Sequence, residues 1–172
     1  MNIIIAIIIL MGYTIALCIK GGGVPSSLSA SVFDLPKSQR WIWTVVLYAV
    51  CFCVLFPFGS GGVSFLDKVS ENTQIIAFIA IAALAFVGAA PLVADKTDLA
   101  YKVHCVAAVV CAVCSQLVLT FNMPQGSALC LWLPFIIAFV IKTDAFDVSK
   151  WKTITFWAEM VCFSSTFAFC LI

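Results

Sequence analysis

Long apolar runs, separated by short segments that carry most of the charges, constrain this chain more than any other feature. A helix that crosses a bilayer needs about 20 mostly apolar residues. Six windows meet or nearly meet that length: 2–20, 39–59, 73–94, 101–121, 127–142 and 153–172. Because lipid offers the backbone no hydrogen-bond partners, each such segment is expected to be helical. The sequence therefore predicts an all-α polytopic membrane protein, a single domain over residues 1–172 with six transmembrane helices.

The composition argues against a soluble domain. Of the 172 residues, 64% are hydrophobic and 10% are charged, whereas soluble domains have about 45–50% apolar and about 25% charged residues. A core of this size cannot bury the excess, so the lipid bilayer is the expected partner. The net charge of +1 provides no field that would attract nucleic acid, and we expect no nucleic-acid partner.

Proline and cysteine positions add two local predictions. Pro134 lies inside the shortest window, 127–142, where it predicts a kinked helix. The nine cysteines lie in or beside apolar runs, where cysteine packs as a small apolar residue, so we expect free thiols. Cys111 and Cys114 have the spacing of a redox or metal motif but no partner pair, and packing is the expected role.

The positions of lysine and arginine predict the orientation. With six helices, one side of the membrane receives Lys68 alone, and the other receives Lys20, Lys37, Arg40, Lys96, Lys102, Lys142, Lys150 and Lys152. Basic residues favour the cytoplasmic side. We therefore expect a multi-pass protein of the cell membrane with both termini outside the cytoplasm. The bias disappears if any one helix is removed from the count, so it also favours six helices.

One long loop, KGGGVPSSLSASVFDLPKSQR, follows the first window. Its glycines end the first helix, and Ser26 or Ser27 is suited to cap a new short helix. Leu28, Val32 and Leu35 give that segment one apolar face, so we expect a short interfacial helix lying in the membrane surface. The loop is either a structured connector or a lid that contacts lipid headgroups. The candidate residues of this interfacial loop are Ser27, Ser29, Asp34 and Arg40.

A single carboxylate, Glu159, interrupts the last apolar window in the stretch TFWAEMVCFSST. Counted from Thr153, it lies about 9 Å deep at about 1.5 Å per residue. A charge at the membrane centre costs about 2.5–3.5 kcal/mol, and less nearer the edge. The group must therefore be protonated, paired or beside water. An ionisable residue in a membrane helix is a functional-site hypothesis by default, and the alternative is a structural hydrogen bond worth about 0.6 kcal/mol.

Three further residues are predicted to share the depth of Glu159. His104 lies about 4–5 Å into its window, and Thr44 and Tyr48 belong to a helix that starts from the same side. We expect these four residues to form one layer in the inner leaflet, with Glu159 in reach of His104 or Tyr48. The layer is the candidate site for a ligand or a proton.

A hydrolase is one candidate function, because serine, aspartate and histidine are all present. No G-x-S-x-G nucleophile elbow occurs. The alkaline ceramidase and progestin-receptor superfamily binds zinc through three histidines, and His104 is the only histidine here. We therefore expect no metal, no cofactor and no assigned catalytic residue.

Three segments, GGVPSSLSASVFDLPKSQRWIWT, FVGAAPLVADK and KVHCVAAVVCAVCSQL, carry a resemblance. In them the chain resembles uncharacterised six-pass integral membrane proteins of anaerobic gut bacteria and their phages. The resemblance implies six helices and a plasma-membrane location, and it implies no activity.

The leading functional hypothesis is a non-enzymatic membrane protein that binds or passes a small or lipid-like ligand at the inner leaflet. One alternative is an intramembrane lipid hydrolase. The other is a membrane scaffold or accessory subunit, whose partner is another membrane protein or a second copy of the chain.

Overall fold

The computed structural model describes residues 2–56, 64–93, 99–124, 127, 132–133, 136–137 and 153–171, and all structural statements refer to these residues. The helices are α1 (Asn2–Gly21), α2 (Leu28–Ser31), α3 (Lys37–Leu55), α4 (Gln74–Val93), α5 (Leu99–Asn122) and α6 (Ile154–Leu171). Short 3₁₀ turns cover Val32–Asp34, Leu66–Lys68 and Glu71–Thr73. The prediction of an all-helical chain is confirmed for this part of the sequence.

Five of these helices, α1, α3, α4, α5 and α6, are long and apolar enough to cross a membrane. Their outer faces expose large apolar side chains, among them Ile8 (65% exposed), Ile75 (75%) and Phe121 (62%). Such faces are suited to contact lipid rather than water. Most of the sixth window, 127–142, lies outside the described residues, and so does the kink expected at Pro134.

Glycines end α1 as the sequence predicts. Gly22 has a φ of +68°, a conformation that glycine adopts without a steric penalty. The amide of Gly23 donates to the carbonyl of Cys18 (3.0 Å), and that of Gly22 donates to Ile19 (3.3 Å). This is the Schellman pattern of a helix C-terminus, and it turns the chain sharply into the following loop.

The loop at 22–36 contains the short helix α2. Ser27 is its N-cap, and the Ser27 Oγ accepts from the Ala30 amide at 3.1 Å. The face expected to lie in the membrane surface is instead turned into the protein, because Leu28 and Val32 are fully buried in the main apolar core. The loop therefore closes over one end of the helices and contributes to their core.

Side-chain hydrogen bonds between helix ends show how α1 and α3 run. Lys20 Nζ donates to Gln39 Oε1 (2.6 Å), and Asn2 Nδ2 donates to the Phe56 carbonyl (2.8 Å). The two helices are therefore antiparallel. We call the end that holds Lys20, Gln39 and the loop 22–36 the Ser27 end, and the end that holds Asn2 and Phe56 the Asn2 end.

The remaining helices alternate between the same two ends. Asn122 Nδ2, at the end of α5, donates to Thr73 Oγ1, just before α4 (2.8 Å). Lys68 Nζ donates to the Cys170 carbonyl in the last turn of α6 (2.8 Å), where a cation is favourable. The segment 64–70 follows α3, so these contacts lie at the Asn2 end. It follows that α5 and α6 both start at the Ser27 end.

A proline inside α4 determines how that helix packs on α3. Pro91 has no N–H to donate to the carbonyl of Val87, four residues earlier. The indole Nε1 of Trp43 donates to that carbonyl at 3.3 Å, and Thr44 Oγ1 donates to the next one, that of Gly88, at 2.7 Å. Neighbouring helices make a proline tolerable in a membrane helix in this way.

Gly88 allows this close approach of α3 and α4. A Cβ atom at this position would lie 3.0 Å from Cε1 of Tyr48 and 3.1 Å from Cδ2 of Leu47. Both distances are shorter than ordinary van der Waals contacts between carbon atoms. Even a Cβ atom here would require the Leu47 and Tyr48 side chains to shift by a few tenths of an ångström, which would disturb the packing of α3 on α4.

Candidate functional site

The carboxylate of Glu159 binds the first turn of α2. Its Oε2 accepts from the Leu28 amide (2.5 Å), and its Oε1 accepts from the hydroxyl of Ser29 (2.5 Å). The Ser27 hydroxyl lies 2.9 Å from Oε1 and 3.2 Å from Oε2, and the Ser29 amide lies 3.4 Å from both. We call Glu159, Ser27, Leu28 and Ser29 the Glu159 latch, because they join α6 to the loop 22–36.

The donors of the latch suit an ionised carboxylate. The amides of Leu28 and Ser29 can only donate, and the two hydroxyls are able to donate as well. Hydrogen bonds to a charged acceptor are roughly twice as strong as neutral ones. Glu159 itself is only half-buried, so the latch lies where the apolar interior meets the Ser27 end.

Three further contacts hold the same loop in place. The Phe156 amide at the start of α6 donates to the Ser26 carbonyl at 3.1 Å. Arg40 is buried in α3 and donates to the carbonyls of Phe33 (2.9 Å) and Leu35 (3.0 Å). The loop is therefore attached to two different helices by specific polar contacts.

The four candidate loop residues all lie at the Ser27 end. Ser27, Ser29 and Arg40 all hold the loop against the helices, the serines through Glu159 and the arginine through loop carbonyls. Asp34 is exposed at the end of the 3₁₀ turn. The arginine also lies over the Phe33 ring, with its Cζ 5.7 Å from the ring centroid, a geometry that attracts a cation to an aromatic face.

The expected layer of Glu159, His104, Thr44 and Tyr48 is not joined by hydrogen bonds. Thr44 donates to the Gly88 carbonyl and the exposed Tyr48 hydroxyl donates to the Ala85 carbonyl (3.2 Å), so both side chains bind the backbone of α4. The described structure gives Glu159 its partners in the loop instead.

His104 is 1% exposed, and within the described residues neither ring nitrogen has a partner in good hydrogen-bond geometry, although the backbone of Val87 is close enough to interact with the ring. Its ring packs edge-on against Phe33 (centroids 5.0 Å apart) and parallel to Tyr101 (6.3 Å). The imidazole therefore acts here as an aromatic packing residue under the loop. No described serine or aspartate activates it, or is activated by it, as a hydrolytic dyad would require.

A cavity of about 110 Å³ lies between α3, α4, α5 and α6. Ser29 and Glu159 of the latch form part of its wall at the Ser27 end, and Leu55 and Phe65 form part of it towards the Asn2 end. The remaining wall consists of Trp43, Val50, Cys51, Val54, Ala80, Ile81, Leu84, Val87, Ala108, Cys111, Ala112, Ser115, Cys162, Phe163, Thr166 and Phe167.

The wall is apolar apart from its latch end. Its two other hydroxyls bind their own helices, since Ser115 Oγ donates to the Ala112 carbonyl (2.9 Å) and Thr166 Oγ1 donates to the Cys162 carbonyl (2.8 Å). Cavities of this character stay dry and accept apolar molecules. Among the described residues, no three histidine, cysteine, aspartate or glutamate side chains are grouped as a metal site would require.

Two features of the site were missed by reasoning from the sequence. The hydrogen bond from Trp43 to Val87 could have been anticipated in part, because Pro91 leaves the carbonyl four residues earlier without its helical donor. The pairing of Glu159 with Ser27 and Ser29 is harder to anticipate, since the sequence indicates only that acceptor and donors lie near the same predicted membrane side.

No family model, curated protein or solved structure matches the chain.

Proposed function

We propose that this chain is an integral membrane protein that binds a small apolar or lipid-like ligand in the cavity between α3, α4, α5 and α6. The single observation that supports this most is that Ser29 and Glu159 belong both to the latch and to the cavity wall. The same residues therefore attach the loop and form the polar end of an apolar chamber.

The size and lining of the cavity indicate the class of ligand. An apolar cavity of about 150 Å³ binds benzene or xenon and excludes water, and the volume here is about 110 Å³. This space suits a small hydrocarbon group or the end of an acyl chain. A hydroxyl or cationic group on such a ligand would be placed at the latch, where the carboxylate is the acceptor.

We further propose six crossings, with the Ser27 end in the cytoplasm and both termini outside it. Asn122 ends α5 at the Asn2 end, whereas α6 begins at the Ser27 end, so a crossing within residues 123–152 would connect them. Of the described basic residues, Lys20, Lys37, Arg40 and Lys102 belong to segments at the Ser27 end, and Lys68 lies at the Asn2 end. Basic residues favour the cytoplasmic side, which would place the ligand cavity towards the inner leaflet.

Fluorescence quenching tests ligand binding directly, because Trp43 is in the cavity wall and fully buried. A variant in which Trp43 is the only tryptophan is reconstituted into phosphatidylcholine vesicles, and a brominated fatty acid is added. Bromine quenches indole fluorescence at contact, so saturable quenching of Trp43 is expected. A second variant that keeps only Trp41, which is 54% exposed, reports the probe in the surrounding bilayer.

A matched pair of substitutions separates binding in the cavity from general access of the probe. Ala108 lines the cavity and Val109, its neighbour in α5, is 63% exposed. Ala108→Leu should reduce the quenching of Trp43, and Val109→Leu should leave it unchanged. If Trp41 is quenched and Trp43 is not, the proposal is overturned in favour of the scaffold alternative. Equal quenching in the Ala108→Leu protein would also overturn it.

A further inference from the structure

A second apolar concavity lies on the outer surface, between α4 and α5. It has a volume of about 540 Å³. Phe78 and Phe86 of α4 line one side and are 68% and 61% exposed, and Val106 of α5 lines the other side and is 64% exposed. We call this the α4–α5 groove. It faces away from the interior cavity and does not share its latch.

The groove has one charged residue among the described residues that line it, Lys102. This lysine is exposed in the first turn of α5, and α5 starts at the Ser27 end. The cation therefore lies at the rim of the groove, with apolar side chains extending from it towards the membrane centre. Lysine side chains near helix ends extend towards the polar surface of a membrane.

The part of the groove below Lys102 fits within one leaflet. Along α5 it runs from Lys102 to Val110, which is about 12 Å at about 1.5 Å per residue. Half of a hydrocarbon core of about 30 Å is about 15 Å. An acyl chain that follows the groove would therefore lie within the leaflet whose headgroups are at the Ser27 end.

We propose that the α4–α5 groove binds one anionic phospholipid, with an acyl chain between the helices and its phosphate at Lys102. The lysine at the rim favours an anionic headgroup, and the apolar floor favours an acyl chain. Together they favour this occupant over a water-soluble ligand. The inference requires that the helices cross a bilayer, and it does not depend on ligand binding in the interior cavity.

Native mass spectrometry tests this inference on protein extracted from vesicles of phosphatidylcholine and phosphatidylglycerol. Lys102→Gln is expected to lower the retained phosphatidylglycerol about fivefold, the effect of one lysine at an anionic surface. Lys102→Arg should retain it. The matched control is Lys20→Gln, because Lys20 lies at the same end in another helix. If the groove holds the lipid, the Lys20→Gln protein should retain as much phosphatidylglycerol as the parent protein. An equal loss in both variants would indicate a general surface-charge effect and would overturn the proposal.

A second pair of variants tests whether the groove itself is used. Ala82 lies in the groove, and Ile75 lies in the same helix, is 75% exposed and is outside it. Ala82→Phe should lower phosphatidylglycerol retention, and Ile75→Phe should not.

If Lys102→Gln lowers retention and Ala82→Phe does not, the lysine acts as a surface charge and the groove proposal is overturned. Unchanged retention in both variants overturns it as well. Quenching of Trp43 should be unaffected by either change, so a failure here is distinguishable from a failure of the proposed function.

Discussion

At the scale of single residues, Glu159 has the most consequential environment. Its carboxylate is held by two serine hydroxyls and the Leu28 amide at 2.5–3.2 Å. The contacts join residues 130 to 132 positions apart in sequence. One side chain thereby fixes the loop 22–36 against α6, which explains why a charged residue occurs within an otherwise apolar helix.

Glu159→Ala should destabilise the protein, because it leaves the Leu28 amide and two hydroxyls without their acceptor. Hydrogen bonds to charged groups are worth about 1.5–3 kcal/mol, and we expect a loss of about 2 kcal/mol in the free energy of unfolding in detergent. Glu159→Gln should cost less, because its carbonyl can still accept from Leu28 and its NH₂ can donate to a serine hydroxyl.

Ser26→Ala is the matched control for the latch, since Ser26 is exposed and contributes its carbonyl rather than its side chain to the contact with Phe156. It should have no measurable effect on the denaturation midpoint. Equal stability of the Glu159→Ala, Glu159→Gln and wild-type proteins would contradict the structural role of the latch.

The sequence identified Glu159 as unusual but did not identify Ser27, Leu28 and Ser29 as its hydrogen-bond partners in the described structure. Depth counted along each apolar window places Thr44, Tyr48 and His104 near it. The count treats the loop as lying on the membrane surface, whereas burial of Leu28 draws the loop into the bundle. Because tertiary packing of a loop leaves little local signal, the serine partners could not be selected from spacing alone.

At the scale of the helices, α3 and α4 are joined through a carbonyl that Pro91 leaves without its helical donor. Trp43 supplies the replacement at 3.3 Å. Small residues allow helices in membranes to approach closely, and Gly88 does so here. The sequence predicts both helices from their apolar length, but a length criterion carries no information about which carbonyl meets which side chain.

A double-mutant cycle tests this link between Trp43 and Pro91. Trp43→Phe removes the indole donor and should reduce the free energy of unfolding by about 1 kcal/mol through the lost hydrogen bond, in addition to any loss of packing. Pro91→Ala restores an N–H that can bind the Val87 carbonyl within α4. In that background the hydrogen-bond contribution of Trp43→Phe should disappear, and the coupling energy measures it. Strict additivity of the two changes in chemical denaturation would contradict the account.

At the scale of the whole molecule, the apolar windows predict the helices well because lipid penalises every unpaired backbone group. The structure begins α3 at Lys37 and ends it at Leu55, whereas the sequence predicts 39–59. The cavity could not be predicted, because it depends on side chains from four helices at once. Its wall includes small residues such as Ala108, Cys111 and Ala112. Small residues predict that helices pack closely, but they do not predict where space remains between the helices.

The orientation is a prediction at the same scale. Reporter domains fused after Ile172 and within the loop 22–36 should give opposite results, with the loop reporter active in the cytoplasm and the terminal reporter active outside. This follows from the bias of lysine and arginine towards the Ser27 end. A cytoplasmic signal from the fusion after Ile172 would contradict the six-crossing orientation.

The central claim is that the Glu159 latch closes the end of a cavity that accepts an apolar ligand. The most direct measurement is the rate at which a brominated fatty acid quenches Trp43 in reconstituted protein that retains no other tryptophan. Release of the loop should make quenching faster in Glu159→Ala than in the parent protein, with Ser26→Ala behaving as the parent. Equal rates in all three proteins, or no quenching of Trp43 at all, would contradict the claim.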